Sequence, residues 1–186
     1  MKQFKLTLIR HTTVDVPPGM IYGQTDVPLN ASFNDEAAMV IEQIAPITFD
    51  AVYSSPLSRC MQLAQKISPK VIPDNRLMEL NFGYWETKFW ADVYQTPEAK
   101  AWFADYVNTP APGGESYAQL IQRCEVFLEE IKKTKHNNIC IVTHGGSIRA
   151  IKSIIQNIPP MQSFKTKINY SEISCLEHNF IYEKRI

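Results

Sequence analysis

No charge of either sign dominates this chain: lysine plus arginine and aspartate plus glutamate number 19 each, so the formal net charge is zero. Such a balance exerts no long-range pull on nucleic acid or anionic lipid, and any anionic ligand must be held by a local cluster of cations. The expected partner is therefore a small molecule, not a nucleic acid and not a membrane. No apolar run approaches the ~18 residues of a membrane span. Met1-Lys2-Gln3-Phe4-Lys5 leads straight into a short strand pattern, too short for a signal-peptide core and with no small-residue cleavage site after it. The four cysteines, Cys60, Cys124, Cys140 and Cys175, form no CxxC pair and no zinc-like spacing. Three of them fall within apolar patterns, which reads as reduced core cysteines in a cytoplasmic protein. Internal repeats are absent, and so is a glycine-rich Walker loop, which excludes a nucleotide P-loop.

What is present suffices for one domain with a full-sized core: 45% apolar and 11% aromatic residues in a chain of 186. Phe4–Ile9 reads as a buried first strand, followed by a Pro-, Gly- and Asp-rich loop from Thr12 to Asn30. Phe33–Ile44 reads as a helix, Ala51–Ser54 as a strand, and Ser55-Pro56-Leu57 as the start of a helix running to Ile67. Val71-Ile72 is a third strand. Thr87–Thr109 reads as helical and ends at the breaker Pro110-Ala111-Pro112-Gly113-Gly114. Ser116 and Gln119 form a capping box ahead of Tyr117, Leu120, Ile121, Cys124, Phe127, Leu128 and Ile131, spaced as one helix face. Ile139–Thr143 is a continuous apolar strand of the fully buried parallel kind. A helix over Ser147–Gln156 and two strand-like runs, Ile173–Leu176 and Phe180–Tyr182, complete the chain. Strands alternating with helices predict an α/β fold. The expectation is a three-layer sandwich with a mostly parallel central sheet, one domain over 1–186, and a small helical cap insertion at about 87–112.

Three strands end in residues capable of chemistry: Arg10-His11, then Ser54-Ser55 with Arg59 one turn on, then Thr143-His144-Gly145-Gly146. In a parallel sheet the carboxyl ends share one edge, where ligands bind. These segments therefore converge, bringing together two histidines, two arginines and two helix starts whose amides favour anions. Gly145-Gly146 lets the backbone approach a ligand, and arginine grips phosphate with two donors. The site suits a tetrahedral dianion. His136 and His178 lack such company and read as surface or structural. Zinc on His11 and His144 would need Asp15 or Asp26, but the neighbouring arginines repel a cation, so no metal and no other cofactor is expected. A cysteine nucleophile would want arginine six positions later, where Gly146 and Lys66 stand, and an aspartyl phosphatase would want DxD where Arg10-His11 stands. Histidine remains as the nucleophile, and His11 is the better placed. A proton donor is also required, because an alkoxide leaves poorly. Glu79 and Glu86 lie in an aromatic, glycine-broken run, with Glu79 nearer the strand end.

These residues resemble a known family. Leu8-Ile9-Arg10-His11, Ser54-Ser55-Pro56-Leu57-Ser58-Arg59, Glu79 with Phe82-Gly83-Tyr84-Trp85-Glu86, and Val142-Thr143-His144-Gly145-Gly146 occur in the order found in the histidine phosphatase (phosphoglycerate mutase-like) superfamily. The resemblance spans Leu6 to about Ala150. It implies that His11 is phosphorylated, that Arg10, Arg59, His144 and Gly145 hold the phosphate, and that Glu79 is the proton donor. Where the family usually has Gly and Thr after the histidine, this chain has Thr12 and Val14, which leaves Thr12 or Thr13 to supply that hydroxyl. Tyr22-Gly23-Gln24-Thr25-Asp26-Val27-Pro28-Leu29 and Phe82–Glu86 are most similar to the α-ribazole phosphatases. That implies α-ribazole 5′-phosphate as substrate, with Tyr22, Gln24, Thr25 and Glu86 in contact with it. The mutases of the superfamily are longer, so water is the expected phosphoryl acceptor. A mutase, a phosphatase for another small ester and a non-catalytic phospho-ligand binder are the alternatives, and a homodimer is compatible with the sequence. The aromatic run with Trp90, Tyr94, Trp102 and Phe103 either roofs the pocket or packs the cap.

Overall fold

The computed structural model of the chain describes residues 3–179, with side chains from Phe4 to Glu177. The run Phe180–Tyr182 and the side chain of His178 lie outside the described residues. Five strands form one sheet: β1 (Gln3–Arg10), β2 (Ala51–Ser54), β3 (Val71–Pro73), β4 (Asn138–Thr143) and β5 (Ile173–Asn179). Their order is β3-β2-β4-β1-β5, parallel throughout except for β5, which runs antiparallel along β1. The sheet is mostly parallel, as the alternation of elements predicted.

Strand alternation splits the core into two layers. Phe4, Leu6 and Leu8 of β1 and Ile139 and Ile141 of β4 point to one face, whereas Ile9, Cys140 and Val142 point to the other. Helices α1 (Phe33–Ile44) and α2 (Ser58–Ile67) cover the second face through Val40, Ile44, Cys60 and Leu63. The first face is covered by α5 (Tyr117–Ile131) and α6 (Gly145–Gln156), through Leu120, Phe127, Ile148 and Ile151. Burial on both faces explains why β4 reads as a continuous apolar run. The capping box opening α5 is present, with Ser116 and Gln119 bonding each other's backbone.

Three local expectations are corrected. The helix expected from Ser55 begins at Ser58, because Leu57 at its N-cap is extended; the Ser55 hydroxyl faces His144 Nε2 at 2.8 Å and accepts the Leu57 amide at 3.4 Å. The stretch Thr87–Thr109 is two short helices, α3 (Trp90–Val93) and α4 (Pro97–Ala104), separated where Thr96 caps the second and Pro97 opens it. The short helix α7 (Pro160–Phe164) was not foreseen. Trp85, Trp90, Trp102, Phe103, Tyr106 and Phe164 pack into one aromatic cluster, with Trp102 edge to face against Trp85, Phe103 and Phe164 and tilted against Trp90 and Tyr106. Cys60, Cys124 and Cys140 are buried thiols and Cys175 is exposed, all unpaired. Among the described residues no helix is long and apolar enough to cross a membrane.

Candidate active site

The site forms where β1 and β4 end side by side. Arg10 is in register with Thr143, so the next residue of each strand, His11 and His144, emerges at the same level. Their rings stand edge to face with centroids 5.1 Å apart. On the far side of β4, β2 delivers Ser55, whose hydroxyl lies 2.8 Å from His144 Nε2. One turn into α2, Arg59 is fully buried and donates from Nε to His144 Nδ1 at 3.3 Å, from Nη1 to Thr25 O at 2.9 Å and from Nη2 to Gly23 O at 2.6 Å. Arg59 thus ties the loop after β1 to the second histidine. Gly23 is required there, since a Cβ would stand 2.0 Å from the Leu80 carbonyl oxygen.

Both imidazoles are kept neutral. Burial is the main cause for His11, followed by the Arg10 and Arg59 charges, and together they hold its pKa well below the usual histidine value. For His144 burial again leads, followed by His11, Arg59 and Arg10. His11 Nδ1 lies 2.8 Å from the Thr12 carbonyl oxygen. A carbonyl only accepts, so Nδ1 carries the proton and Nε2 presents its lone pair. That is the tautomer a nucleophile needs.

Glu79 faces this pair from the loop after β3. Its Oε2 accepts from the Gly146 amide at 3.0 Å and its Oε1 from the Leu80 amide at 2.9 Å. Gly146 makes room for the acid rather than for a ligand: a Cβ there would sit 2.2 Å from Glu79 Oε1. The expected approach of Gly145-Gly146 to a bound anion is corrected to this extent, because the Gly146 amide is already taken. Gly145 lies beside the guanidiniums, its Cβ position 3.7 Å from Arg10 Cζ and 3.9 Å from Arg149 Nη1. The backbone of Glu79 is held from behind by Arg123, which donates to the Glu79 and Arg76 carbonyls at 2.8 and 2.6 Å and pairs with Glu115 at 2.6 Å.

A cavity of about 130 Å³ opens between these groups. Arg10, His11, Arg59, Glu79, His144 and Tyr22, all named from sequence, line it together with Arg149. Leu80, Phe82, Tyr117, Leu120 and Phe164 form its apolar wall. Gln24, Thr25 and Glu86, expected on the substrate, are spent within the protein: the Gln24 side-chain amide donates to the Glu79 carbonyl at 3.1 Å, and the Thr25 hydroxyl to Glu86. Glu86 accepts from the Gln24 amide at 2.8 Å, the Phe82 amide at 3.2 Å, the Thr25 amide at 2.5 Å and the Thr25 hydroxyl. Burial pushes its carboxyl up, but these hydrogen bonds outweigh burial and hold it below its ordinary value. Glu86 is a charged strut, which removes it as the alternative proton donor. The buried Thr12 hydroxyl has no partner among the described residues, and the Thr13 amide donates to Glu36 at 2.9 Å. Trp90, Tyr94, Trp102 and Phe103 pack against one another and do not line the cavity. Half-buried His136 sits in the turn before β4, away from the site. Among the described residues no group of His, Cys, Asp or Glu is arranged to hold a metal ion.

Sequence reasoning missed Arg149, Phe164, Tyr170 and the Arg123–Glu115 brace. Arg149 carried a usable signal: it stands four residues after Gly145 on α6 and so shares its face. Tyr170 carried none, since it lies in an aperiodic turn.

Comparison with known proteins gives the family. The model of the histidine phosphatase superfamily (branch 1) covers residues 6–180. Phosphoserine phosphatase 1 of Hydrogenobacter thermophilus is 29% identical over 155 residues, 79% of this chain and 74% of that protein. The adenosylcobalamin/alpha-ribazole phosphatase of Escherichia coli K12 is 26% identical over 184 residues, 94% of this chain and 90% of that one. Among solved structures, the alpha-ribazole phosphatase of Shigella flexneri superposes with a TM-score of 0.85 at 24% identity, covering 92% of this chain and 89% of that one. With a family model spanning nearly its whole length, the chain belongs to the histidine phosphatase superfamily, branch 1, and is a phosphatase-class enzyme.

Proposed function

We propose that the chain hydrolyses a small phosphomonoester through a phosphohistidine on His11. The observation that carries this reading is the pair of neutral histidines 5.1 Å apart in one cavity, flanked by Arg10 and Arg59 and faced by the Glu79 carboxyl. Arg10 and Arg59 bind the phosphoryl oxygens and offset the charge spread over them in the transition state, while His144, its one N–H on Ser55, braces Arg59. His11 Nε2 attacks phosphorus in line, forming the N–P bond as the ester P–O bond breaks. Glu79 gives its proton to the leaving oxygen. The resulting carboxylate then takes a proton from water, whose oxygen attacks phosphorus and releases phosphate and free His11. Uncatalysed monoester hydrolysis is so slow that accelerations approach ~10²¹, which positioning and electrostatics must supply.

For the substrate, α-ribazole 5′-phosphate is the first reading. The resemblance at residues 22–29 and 82–86 supports it, as does the apolar wall of Phe82, Tyr117 and Phe164, suited to an aromatic base. A phosphorylated hydroxy acid such as phosphoserine is the second, favoured by one observation. Arg149 donates from Nε to the Thr166 carbonyl at 2.6 Å and otherwise turns a cation toward the cavity, where it could take a carboxylate. The test is phosphate release in excess EDTA from α-ribazole 5′-phosphate, phosphoserine, 3-phosphoglycerate and an aryl phosphate, for the parent and His11→Ala. Turnover that survives the chelator and is lost in the variant is expected. Activity that requires metal, or that persists without His11, would overturn the mechanism; the preferred ester decides between the substrates.

A further inference from the structure

Among the described residues no carboxylate pairs with Arg10. Its side chain donates one hydrogen bond within the protein, from Nη1 to Ile168 O at 2.7 Å, and its buried Nε meets no acceptor among the described residues. What fixes the guanidinium is a ring: Tyr170 lies against Arg10 with Cζ 3.9 Å from the ring centroid. The same ring stands 5.6 Å from His11. The Tyr170 hydroxyl meets the hydroxyl of Tyr22, on the cavity wall, at 2.5 Å.

The turn that carries Tyr170 is itself bound to the strand end it serves. The Ser171 amide donates to His11 O at 3.2 Å, and the Arg10 amide donates to Glu172 O at 3.1 Å. Ser171 adopts a left-handed backbone, φ 59°, which a non-glycine residue holds only when its surroundings impose it. Its hydroxyl is anchored on Glu36 Oε2 at 2.7 Å, the oxygen that also receives the Thr13 amide. So one carboxylate at the start of α1 fixes both the loop after His11 and the turn before β5.

We propose that Tyr170 is a positioning residue of the phosphate site, holding Arg10 by its ring and Tyr22 by its hydroxyl so that both present donors to the bound phosphomonoester. The choice of a ring follows from the chemistry. A carboxylate on Arg10 would neutralise the cation and repel an incoming dianion, whereas an aromatic face restrains the guanidinium without adding negative charge. The hydroxyl pair contains two O–H groups and uses one of them between the rings. The second is left for a ligand oxygen. Tyr170 does not itself line the cavity, so its effect passes through Arg10 and Tyr22.

This proposal rests on the reading of the cavity as a phosphate site, and its test separates the two. Affinity for inorganic phosphate is measured by titration calorimetry on the parent, Tyr170→Phe, Tyr170→Leu, Arg10→Ala and the double variant Arg10→Ala/Tyr170→Leu, with kcat and KM on an aryl phosphate alongside. Tyr170→Leu is expected to weaken phosphate binding roughly tenfold. Tyr170→Phe, which keeps the ring, should hold phosphate within about twofold of the parent and raise KM by a few-fold through Tyr22. In the Arg10→Ala background the leucine change should add no more than the roughly twofold that loss of the hydroxyl costs. Parent-like phosphate affinity in Tyr170→Leu, or an equal loss with Arg10 absent, would overturn the proposal. Should the leucine variant fail to fold, the phenylalanine variant decides: an unchanged KM together with unchanged phosphate affinity counts against the hydroxyl role, and a tenfold loss of phosphate against the ring role. A parent that binds phosphate but turns over no ester sinks the catalytic reading and leaves the test of Tyr170 intact.

Discussion

Replacing Gly146 with alanine separates the proton donor from the rest of the machinery. The added Cβ would stand 2.2 Å from Glu79 Oε1, 3.1 Å from its Cδ and 3.3 Å from Leu120 Cδ2. Leucine blocks the other side, so the carboxyl must retreat by about 1 Å, a misplacement that costs roughly 10²-fold in rate. The bond from the Gly146 amide, now 3.0 Å, is lost with it. The fold tolerates the change, because alanine is favoured over glycine inside a helix by about 1 kcal/mol and offsets part of that bond. Two esters report the outcome. An alkyl phosphate needs a proton on its leaving oxygen, whereas nitrophenolate leaves unaided. Expected is a loss of about 10²-fold in kcat/KM on the alkyl ester and less than tenfold on nitrophenyl phosphate, with the melting temperature little changed. An alkyl-ester rate within threefold of the parent would refute the assignment of Glu79. Equal losses on both esters would move the defect from proton transfer to binding.

Other expectations follow from the same geometry. His11 and His144 are held neutral, so the folded chain binds fewer protons than the unfolded one. Their contribution is intact above the unfolded pKa of ~6.5 and is lost as pH falls below it, by up to about 1.4 kcal/mol per pH unit for each. Denaturant melts between pH 7.5 and 5 should show this slope, and His144→Asn should flatten it. For the same reason the acid limb of kcat/KM should lie below pH 6.5. Arg123→Met strips Glu115 of its cation in a half-enclosed site and removes one of the two donors on the Glu79 carbonyl, leaving Gln24; a stability loss of about 2–3 kcal/mol by urea titration is expected, with a fall in kcat. Trp102→Ala removes the centre of the cap's aromatic cluster, and a loss of about 3–5 kcal/mol is expected in the same assay.

The sequence was most legible where a single physical rule acted. Ile139–Thr143 announced a buried parallel strand because both of its faces are covered, and the Ser116–Gln119 box marked the start of α5 because its two bonds are local. His11, His144, Arg10 and Arg59 were found because strand ends in a parallel sheet share an edge. Legibility failed where a side chain had two possible uses. Ser55 could cap a helix or bond a histidine, and only the position of His144 decides. Gln24, Thr25 and Glu86 carry the polarity of a binding site, yet they bond within the protein, Thr25 to Glu86 and Gln24 to the Glu79 carbonyl. Gly146 could admit a ligand or a carboxyl, and the answer lies in Glu79, distant in sequence. Tyr170 was invisible because its partners, Arg10 and Tyr22, lie about 150 residues away and its turn has no period.

The central pairing of β1 with β4 also dictates when this enzyme can begin to work. β1 and His11 are made before the strand they pair with, which follows more than 130 residues later, and β5 comes later still. At ~5–20 residues per second, the first strand waits many seconds on the ribosome with its hydrogen-bonding edges unmatched. A chain at that stage holds His11, the proposed nucleophile, without the surroundings that would make it reactive, until β4 and β5 arrive.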